Sequence, residues 1–264
     1  MIVSITIAIL ILLLIYSFLI EPYLIKVKRY NLNNKTNNEL KIVQISDIHL
    51  KKHFNLKHLS KIINKINNQN PDIVIFTGDL YDKYDKYHDD TNLVNLLKQI
   101  KAKTKLAVSG NHDYLNGSSK IFSNIMENSD FILLDNKEEI LKYSTKTISF
   151  IGIPDFEYNK NVKLDKATSD YNVLITHEPE AIDKIDEKYD LILAGHSHGA
   201  QFIISFLTIL ITKVIKNCHH SFKYIKGFYE TKAGKLYVNP GIGTTRIPAR
   251  FGVVPSITVF HLYF

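Results

Sequence analysis

Cysteine is nearly absent from this chain, because Cys218 is the single one among 264 residues. One cysteine cannot form an intrachain disulfide, which is compatible with a reducing compartment. It also cannot supply the thiolates of a structural zinc site. A metal site in this chain must instead use imidazole nitrogen and carboxylate or amide oxygen, which suit divalent ions such as Mn, Zn, Fe or Mg.

Charged side chains are absent from residues 1–20, where four hydroxyl-bearing residues are the only polar ones. A helix of this length, rising 1.5 Å per residue, covers the roughly 30 Å hydrocarbon core of a bilayer. The chain lacks both a basic region before the apolar run and a clear small-residue cleavage site after it, which argues against a cleaved signal peptide. We therefore predict a transmembrane anchor over residues 1–25 and a juxtamembrane linker over residues 26–40.

Basic residues dominate the stretch that follows the span, where five lysines and arginines face only Glu21 and Glu39. By the positive-inside rule the remainder of the chain stays in the cytoplasm. We therefore expect a single-pass protein of the cell membrane with a cytoplasmic domain over residues 41–264. Since the span and the rest of the chain are separate in sequence, removal of residues 1–25 is expected to leave the chemistry of the domain largely intact.

The overall composition is that of a globular protein, with 45% hydrophobic and 22% charged residues. The chain is long enough for one large domain with a substantial core. The formal net charge is +7, but asparagine, lysine and isoleucine are abundant throughout, so this charge is weak evidence for an anionic partner. A basic chain is also compatible with nucleic-acid binding.

Five short motifs rich in Asp, Asn and His follow strand-like apolar runs in one order along the chain. Taken singly, each has an ordinary explanation as a polar turn or a loop histidine. Five such loops at strand ends are difficult to explain by coincidence, and together they carry enough ligands for two metal ions. The motifs are Asp47-Ile48-His49, Gly78-Asp79, Gly110-Asn111-His112-Asp113, His177 and Gly195-His196-Ser197-His198-Gly199.

Spacing suggests how these ligands are shared. Alternate side chains of an extended segment point the same way, so Asp47 and His49 can approach one ion together. A bend between His196 and His198 could direct each imidazole to a different ion. Two ions roughly 3.5–4 Å apart need a bridging carboxylate, and Asp79 is the candidate for that bridge.

Apolar runs predict eight strands, and periodic leucines and isoleucines predict helices at 56–66 and 92–100. Strands alternating with helices indicate an α/β fold in which ligands gather at the carboxyl ends of the strands. The predicted strands cover residues 41–46, 73–77, 105–109, 147–153, 172–176, 191–194, 236–239 and 257–262.

The complete set of motifs resembles the calcineurin-like metallophosphoesterase superfamily over residues 41–264. Within it, the Gly78, Gly110 and Gly195 motifs look most like the branch of membrane-associated phosphodiesterases that includes enzymes similar to UDP-2,3-diacylglucosamine diphosphatase. This resemblance implies an α/β/β/α sandwich of two packed sheets. It also implies two divalent metal ions, the first held by Asp47, His49, Asp79 and His198 and the second by Asp79, Asn111, His177 and His196.

The expected reaction is hydrolysis of a phosphodiester or pyrophosphate bond by a metal-bound hydroxide, with the Asn111 amide orienting the phosphoryl oxygens. His112 is expected near the leaving group, as a proton donor or hydrogen-bond partner. Asp113 either orients the His112 ring or stabilises a turn. Two other functions stay open: a catalytically silent, metal-bound scaffold at the membrane, and a nuclease of the same superfamily, which a membrane anchor fits poorly.

The segment directly after His198 bears on the substrate. Residues 202–212 carry no charge, and four lysines follow before the next acid at Glu230. Such a segment either lies in a membrane interface as a lipid-facing lid or forms part of the core. We expect an amphipathic or lipid-linked phosphate compound as substrate, with the membrane as a partner and no nucleic acid.

Overall fold

The computed structural model of the protein describes residues 2–34, 36, 38–156, 158, 168–202 and 223–264. The five α-helices of this part are α1 (Ile2–Ile15), α2 (Leu56–Asn67), α3 (Asp90–Leu97), α4 (Asn111–Tyr114) and α5 (Ser119–Asn128). The strands are β1 (Lys26–Leu32), β2 (Glu39–Ile45), β3 (Ile73–Phe76), β4 (Thr104–Ala107), β5 (Ile132–Leu133), β6 (Lys137–Tyr143), β7 (Lys146–Gly152), β8 (Tyr171–Ile175), β9 (Tyr189–Ala194), β10 (Gly227–Thr231), β11 (Gly234–Val238) and β12 (Ser256–Tyr263).

The strands form two six-stranded sheets, with the orders β1-β12-β2-β3-β4-β5 and β10-β11-β9-β8-β7-β6. One hydrophobic core lies between the sheets and includes Ile75, Leu106 and Val173. A second core lies between the first sheet and helices α2, α3 and α5. On the other face of the second sheet, the described residues contribute a 3₁₀ helix, Pro179–Lys184, and Tyr224. The fold is therefore a mixed α/β sandwich of two sheets, as expected.

Local sequence explains the elements that carry the site. Helix α2 buries Leu59, Ile62, Ile63 and Ile66, which recur at helical spacing, and the Asn55 side chain caps its first turn by accepting from the backbone N–H of Lys57 at 3.1 Å. Strand β3 is a run of four buried apolar residues, which is typical of a parallel strand covered on both faces. The strand is therefore rigid up to the loop that carries Asp79.

All eight strands predicted from apolar runs are confirmed to within two residues of their ends. The predicted helices correspond to α2 and α3. No apolar run predicted β1, β5, β6 or β10, which are the edge strands of the two sheets.

The prediction of a linker over residues 26–40 is wrong. Strand β1 pairs in parallel with β12 along its whole length, from Lys26 opposite Ser256 to Leu32 opposite Leu262. Three of its seven residues are charged and Leu32 is its one buried residue, which suits an edge strand with a solvated face. Glu39 and Leu40 already belong to β2. The folded domain therefore starts at the end of the apolar helix.

The N-terminal helix continues beyond α1 to Tyr23, and the whole of Ile2–Tyr23 is long and apolar enough to cross a membrane. Helix α1 buries none of its side chains. The last turns behave differently, because Ser17, Glu21 and Pro22 are buried against the domain. We call residues 17–23 the juxtamembrane segment.

Candidate metal centre

The candidate ligands lie on loops that leave strands of both sheets. Asp47 follows β2, Asp79 follows β3 and Asn111 opens α4 after β4, whereas His177 and His196 follow β8 and β9 of the second sheet. Both sheets direct these strand ends to one place, so residues more than a hundred positions apart become neighbours. For example, the backbone N–H of His196 lies 3.1 Å from Asp47 Oδ2.

Five of the candidate ligands have left-handed backbone conformations, which are uncommon for residues other than glycine. Asp47 and His49 do come together, but not by alternation along an extended strand, so that explanation is wrong. The chain has already left β2 and has a positive φ at both residues. Such strained conformations are typical of functional sites. The φ values are 50° for Asp47, 47° for His49, 64° for Asp79, 70° for His196 and 51° for His198.

The first group of ligands consists of Asp47, His49 and His198, all buried. His198 Nε2 lies 3.0 Å from His49 Nε2 and 3.4 Å from Asp47 Oδ1. Two imidazole nitrogens that face each other beside a carboxylate oxygen have the spacing of ligands that share one cation.

The second group brings Asn111, His177 and His196 together. His196 Nδ1 lies 3.1 Å from both Asn111 Oδ1 and His177 Nε2, and His177 Nε2 lies 3.1 Å from Asn111 Oδ1. His177 Nδ1 donates to the Thr77 carbonyl at 2.7 Å, which leaves Nε2 unprotonated in the neutral ring and able to ligate. His196 and His198 thus belong to different groups.

Asp79 connects the two groups. Its Oδ2 lies 3.2 Å from His49 Nε2 and 3.4 Å from His177 Nε2. Ligands about 2.0–2.2 Å from one ion are separated from each other by about 3.0–3.5 Å, which is the range of most distances in both groups. The donor set and its spacing therefore fit two cations with Asp79 between them.

Two motif glycines permit this packing. A Cβ on Gly78, whose φ is +88°, would lie 2.6 Å from the backbone nitrogen of Gly110 and 2.8 Å from His177 Nδ1. A Cβ on Gly110 would lie 2.4 Å from Asp79 Oδ1. Any larger residue at these positions would displace a candidate ligand.

The electrostatics of the cluster favour bound cations. Burial opposes ionisation of Asp79, but His177, His112 and His49 hold the pKa of its carboxyl well below the usual value. Burial lowers the pKa of His49, yet Asp79, Asp82 and Asp47 raise it to about 9. Without metal, protons would occupy positions that a metal ion must take, so metal binding would release protons.

His112 lies beside the ligand groups and is held by two hydrogen bonds. Its backbone N–H donates to Asp79 Oδ1 at 2.8 Å, and its Nδ1 lies 2.6 Å from the Asp82 carbonyl oxygen. The carbonyl can only accept, so Nδ1 carries a proton and Nε2 is the atom available to a substrate. Burial lowers the pKa of the His112 ring.

The expectation that Asp113 orients the His112 ring is not met. The buried Asp113 carboxylate accepts hydrogen bonds from the backbone N–H groups of Asp79 at 2.8 Å, Leu80 at 3.0 Å and Gly110 at 2.9 Å. It fastens two ligand loops to each other. The alternative of a turn-stabilising carboxylate describes it better.

Two residues near the site have no motif signal. Asp82 Oδ1 lies 3.5 Å from His49 Nδ1, where it can fix the orientation of that ring. Arg250 is completely buried, and its guanidinium donates to the carbonyl oxygens of Gly243, His198 and Val253. A single Asp three residues after a ligand, or an Arg in a C-terminal loop, is too common in sequences to be singled out.

The juxtamembrane segment holds the loop that contains Arg250. The Arg250 backbone N–H donates to the Ser17 carbonyl at 2.9 Å, and the Gly252 N–H donates to the buried Glu21 carboxylate at 2.9 Å. The Tyr16 ring packs edge-on against Phe251. The end of the apolar helix is therefore connected to the candidate ligand His198 through a single side chain, Arg250.

The predicted lid, residues 202–212, lies outside the described residues except for Phe202. The Phe251 N–H donates to the Gln201 carbonyl at 2.9 Å, and Phe202 forms a bridge with Phe251. The segment thus starts next to the residue that contacts the apolar helix. Whether it is lid or core stays a prediction.

Comparisons with known proteins give a family and several relatives. Residues 40–200 match the sequence profile of the calcineurin-like phosphoesterase family. The chain is 32% identical over 261 residues to the uncharacterized metallophosphoesterase YkuE of Bacillus subtilis (strain 168), with 94% of this chain and 88% of YkuE covered. A second protein of that organism, the uncharacterized metallophosphoesterase YkoQ, is 28% identical, with 84% of this chain and 83% of YkoQ covered.

The chain is also similar to proteins with a named activity. The UDP-2,3-diacylglucosamine pyrophosphatase LpxG of Chlamydia trachomatis is 27% identical to this chain over 286 residues, with 85% of each protein covered.

Proposed function

We propose that this chain, which belongs to the calcineurin-like phosphoesterase family, is a membrane-anchored enzyme that hydrolyses a phosphodiester or pyrophosphate bond in a lipid-linked substrate. Family and relatives support the reaction class, so the protein is a metal-dependent phosphoester hydrolase. The observation that carries the proposal is the position of Asp79 Oδ2, which lies within 3.4 Å of a histidine nitrogen of each ligand group.

We assign one divalent ion to Asp47, His49, Asp79 and His198, and the other to Asp79, Asn111, His177 and His196. When bound, two such ions lower the pKa of water and neutralise the charge of the phosphoryl oxygens. The mixture of imidazole nitrogen and carboxylate oxygen suits Mn, Zn, Fe or Mg, and availability decides among them.

The chain's own residues orient the substrate and handle the leaving group. The Asn111 amide nitrogen can donate to a phosphoryl oxygen while its Oδ1 faces His177 and His196. His112 presents Nε2, because Nδ1 is committed to the Asp82 carbonyl. The ring therefore protonates a leaving oxygen only from its cationic form, and as the neutral ring it accepts a hydrogen bond.

The lipid-linked substrate and the membrane anchor are supported by two separate features. The helix Ile2–Tyr23 is long and apolar enough to span a bilayer, and α1 leaves its apolar side chains exposed. The LpxG relatives carry the name of a diacylated sugar nucleotide. The basic residues after the span support a cytoplasmic orientation of the domain.

The test is hydrolysis of bis(p-nitrophenyl) phosphate by the full-length protein in neutral detergent, with Mn, Zn, Fe and Mg supplied separately. We expect turnover with at least one metal and none for Asp79→Asn. Asp85→Asn is the matched control, because Asp85 is an exposed carboxylate on the loop beyond Asp82.

Two other results would overturn the proposal. Bound metal without hydrolysis of any mono- or diester would indicate a scaffold. Hydrolysis of single-stranded DNA, with retention on DNA that falls as salt increases, would indicate a nuclease.

A further inference from the structure

A wide cleft opens directly beside the candidate metal centre. Its volume is about 680 Å³, and Asn111 and His112 form part of its lining. The cleft therefore extends from the side of the site where His112 is available to a leaving group. Whatever is attached to the reacting phosphoryl group on that side has to occupy it.

The lining of the cleft is strongly cationic. Among the described residues, Asp82 is its one acidic member, and the Asp82 carboxylate is already engaged by Lys51 at 3.4 Å and His49 at 3.5 Å. The basic lining residues are Lys51, Lys52, His53, Lys83, Lys86 and Arg246.

Exposed lysines are common on protein surfaces, but two features distinguish this cleft from an ordinary basic surface. The Lys51 side chain is only 14% exposed, and its ammonium donates to the Thr244 carbonyl as well as contacting Asp82. Arg246 has a φ of +43°, which is unusual for a residue with a long side chain and typical of ligand sites. Lys51 thus fixes the turn that carries Arg246 across the cleft.

The cleft also adjoins the juxtamembrane segment. The Tyr23 hydroxyl donates to the carbonyl oxygen of His53, a lining residue, at 3.4 Å. The Tyr23 ring stacks on Phe54 with 6.1 Å between the centroids. A substrate that arrives along the membrane surface would meet these cations before it reaches the metal ligands.

We propose that this cleft binds a second anionic group of the phosphate class, attached to the reacting phosphoryl group on the His112 side. This inference rests on the proposed function and narrows it to a pyrophosphate bond. Water would form the new P–O bond and release a proton to solvent, the bridging P–O bond would break, and the electron pair of that bond would leave with the second phosphate. The cleft cations would stabilise that charge as it develops.

The experiment compares two substrates that differ in the second phosphate, bis(p-nitrophenyl) phosphate and P1,P2-bis(p-nitrophenyl) pyrophosphate. The variants are the double change Lys52→Gln and Lys83→Gln, both at exposed positions, and separately Arg246→Gln. Lys57→Gln with Lys61→Gln, exposed lysines on α2, is the matched control for loss of two positive charges.

In neutral detergent, we expect the ratio of kcat/KM for the pyrophosphate to that for the diester to fall about 10-fold in the cleft variants, mainly through KM. The ratio should not change in the α2 control. An unchanged ratio in both cleft variants would overturn the cleft assignment while leaving the hydrolase intact. Absence of turnover of both substrates by the unaltered protein would instead overturn the proposed function.

The headgroup of an anionic lipid carries the same kind of phosphate group as the proposed substrate. A second measurement distinguishes binding of a lipid headgroup from binding of the substrate. Inhibition of bis(p-nitrophenyl) phosphate hydrolysis by the short-chain lipid dihexanoyl phosphatidylglycerol is compared in neutral detergent for the unaltered protein and the cleft variants. If this lipid inhibits the unaltered protein but not the variants, while the substrate ratio is the same in both, the cleft binds a lipid headgroup and the assignment to the substrate is wrong.

Discussion

The floor and the wall of the candidate site are built on different principles. The floor consists of the seven candidate ligands, which lie at the ends of buried strands and belong to recognisable motifs. The wall consists of the juxtamembrane segment, residues 51–53, Asp82 and residues 243–252, which carry no motif. Yet the wall supports the floor through Arg250. The Arg250 backbone N–H donates to the Ser17 carbonyl, and its guanidinium donates to the His198 carbonyl.

This difference indicates which changes remove the chemistry and which only weaken it. A change in the floor removes a ligand, and no neighbour can replace it. A change in the wall shifts a ligand or loosens a loop, so its effect is graded.

Asp79→Asn is expected to abolish hydrolysis and to weaken binding of both metals, because a neutral amide cannot replace a carboxylate between two cations. Metal content after dialysis, measured by mass spectrometry, checks this. If two equivalents of metal were retained with near-normal turnover, Asp79 would not be the bridge.

His112→Ala is expected to lower kcat by roughly 10²–10⁴ while both metals stay bound, which is the usual range for loss of a general acid or base. The loss should be smaller for p-nitrophenyl than for alkyl leaving groups, since a good leaving group needs less protonation. Equal losses for both would argue against a role at the leaving oxygen.

Asp82→Asn tests the wall where it touches His49. Loss of the carboxylate that faces a ligating imidazole typically costs about 10–100-fold in metal affinity. Titration of the metal-free protein with Mn or Zn measures this, and Asp85→Asn is again the control. An unchanged affinity would show that Asp82 does not orient His49.

Two truncations separate the exposed part of the apolar helix from its docked end. Removal of residues 2–15 should leave thermal stability nearly unchanged, because α1 buries no side chain. Removal of residues 2–25 should lower Tm by about 5–10 °C, since it takes away the buried Glu21 carboxylate and its hydrogen bond to Gly252.

Hydrolysis of a soluble diester should follow the same pattern in the two truncations. The shorter truncation should keep the rate, whereas the longer one should reduce it because the Arg250 loop loses its support. This revises the expectation that removal of residues 1–25 leaves the chemistry largely intact. If both truncations behaved alike in stability and rate, the juxtamembrane segment would be a passive tether.

The sequence was sufficient to predict the inner strands of both sheets but not their edge strands. An inner strand such as β3 is covered on both faces and reads as a continuous apolar run. The edge strands β1 and β6 mix charged and apolar residues without a regular period. A loop or linker can show the same pattern, so only pairing with β12 and β7 identifies them as strands.

The same division applies to the site. The chain itself determined the chemistry of the ligands, because imidazoles, carboxylates and an amide after buried strands are encoded within a few residues of each motif. The motifs also predicted Asp79 as the shared ligand, whereas only the tertiary structure decided that Asp82 faces His49. It also decided that Glu21 and Arg250 join the end of the apolar helix to His198. These contacts connect residues up to 233 positions apart, from Ser17 to Arg250, and no local pattern can specify them because each depends on how distant loops pack against each other.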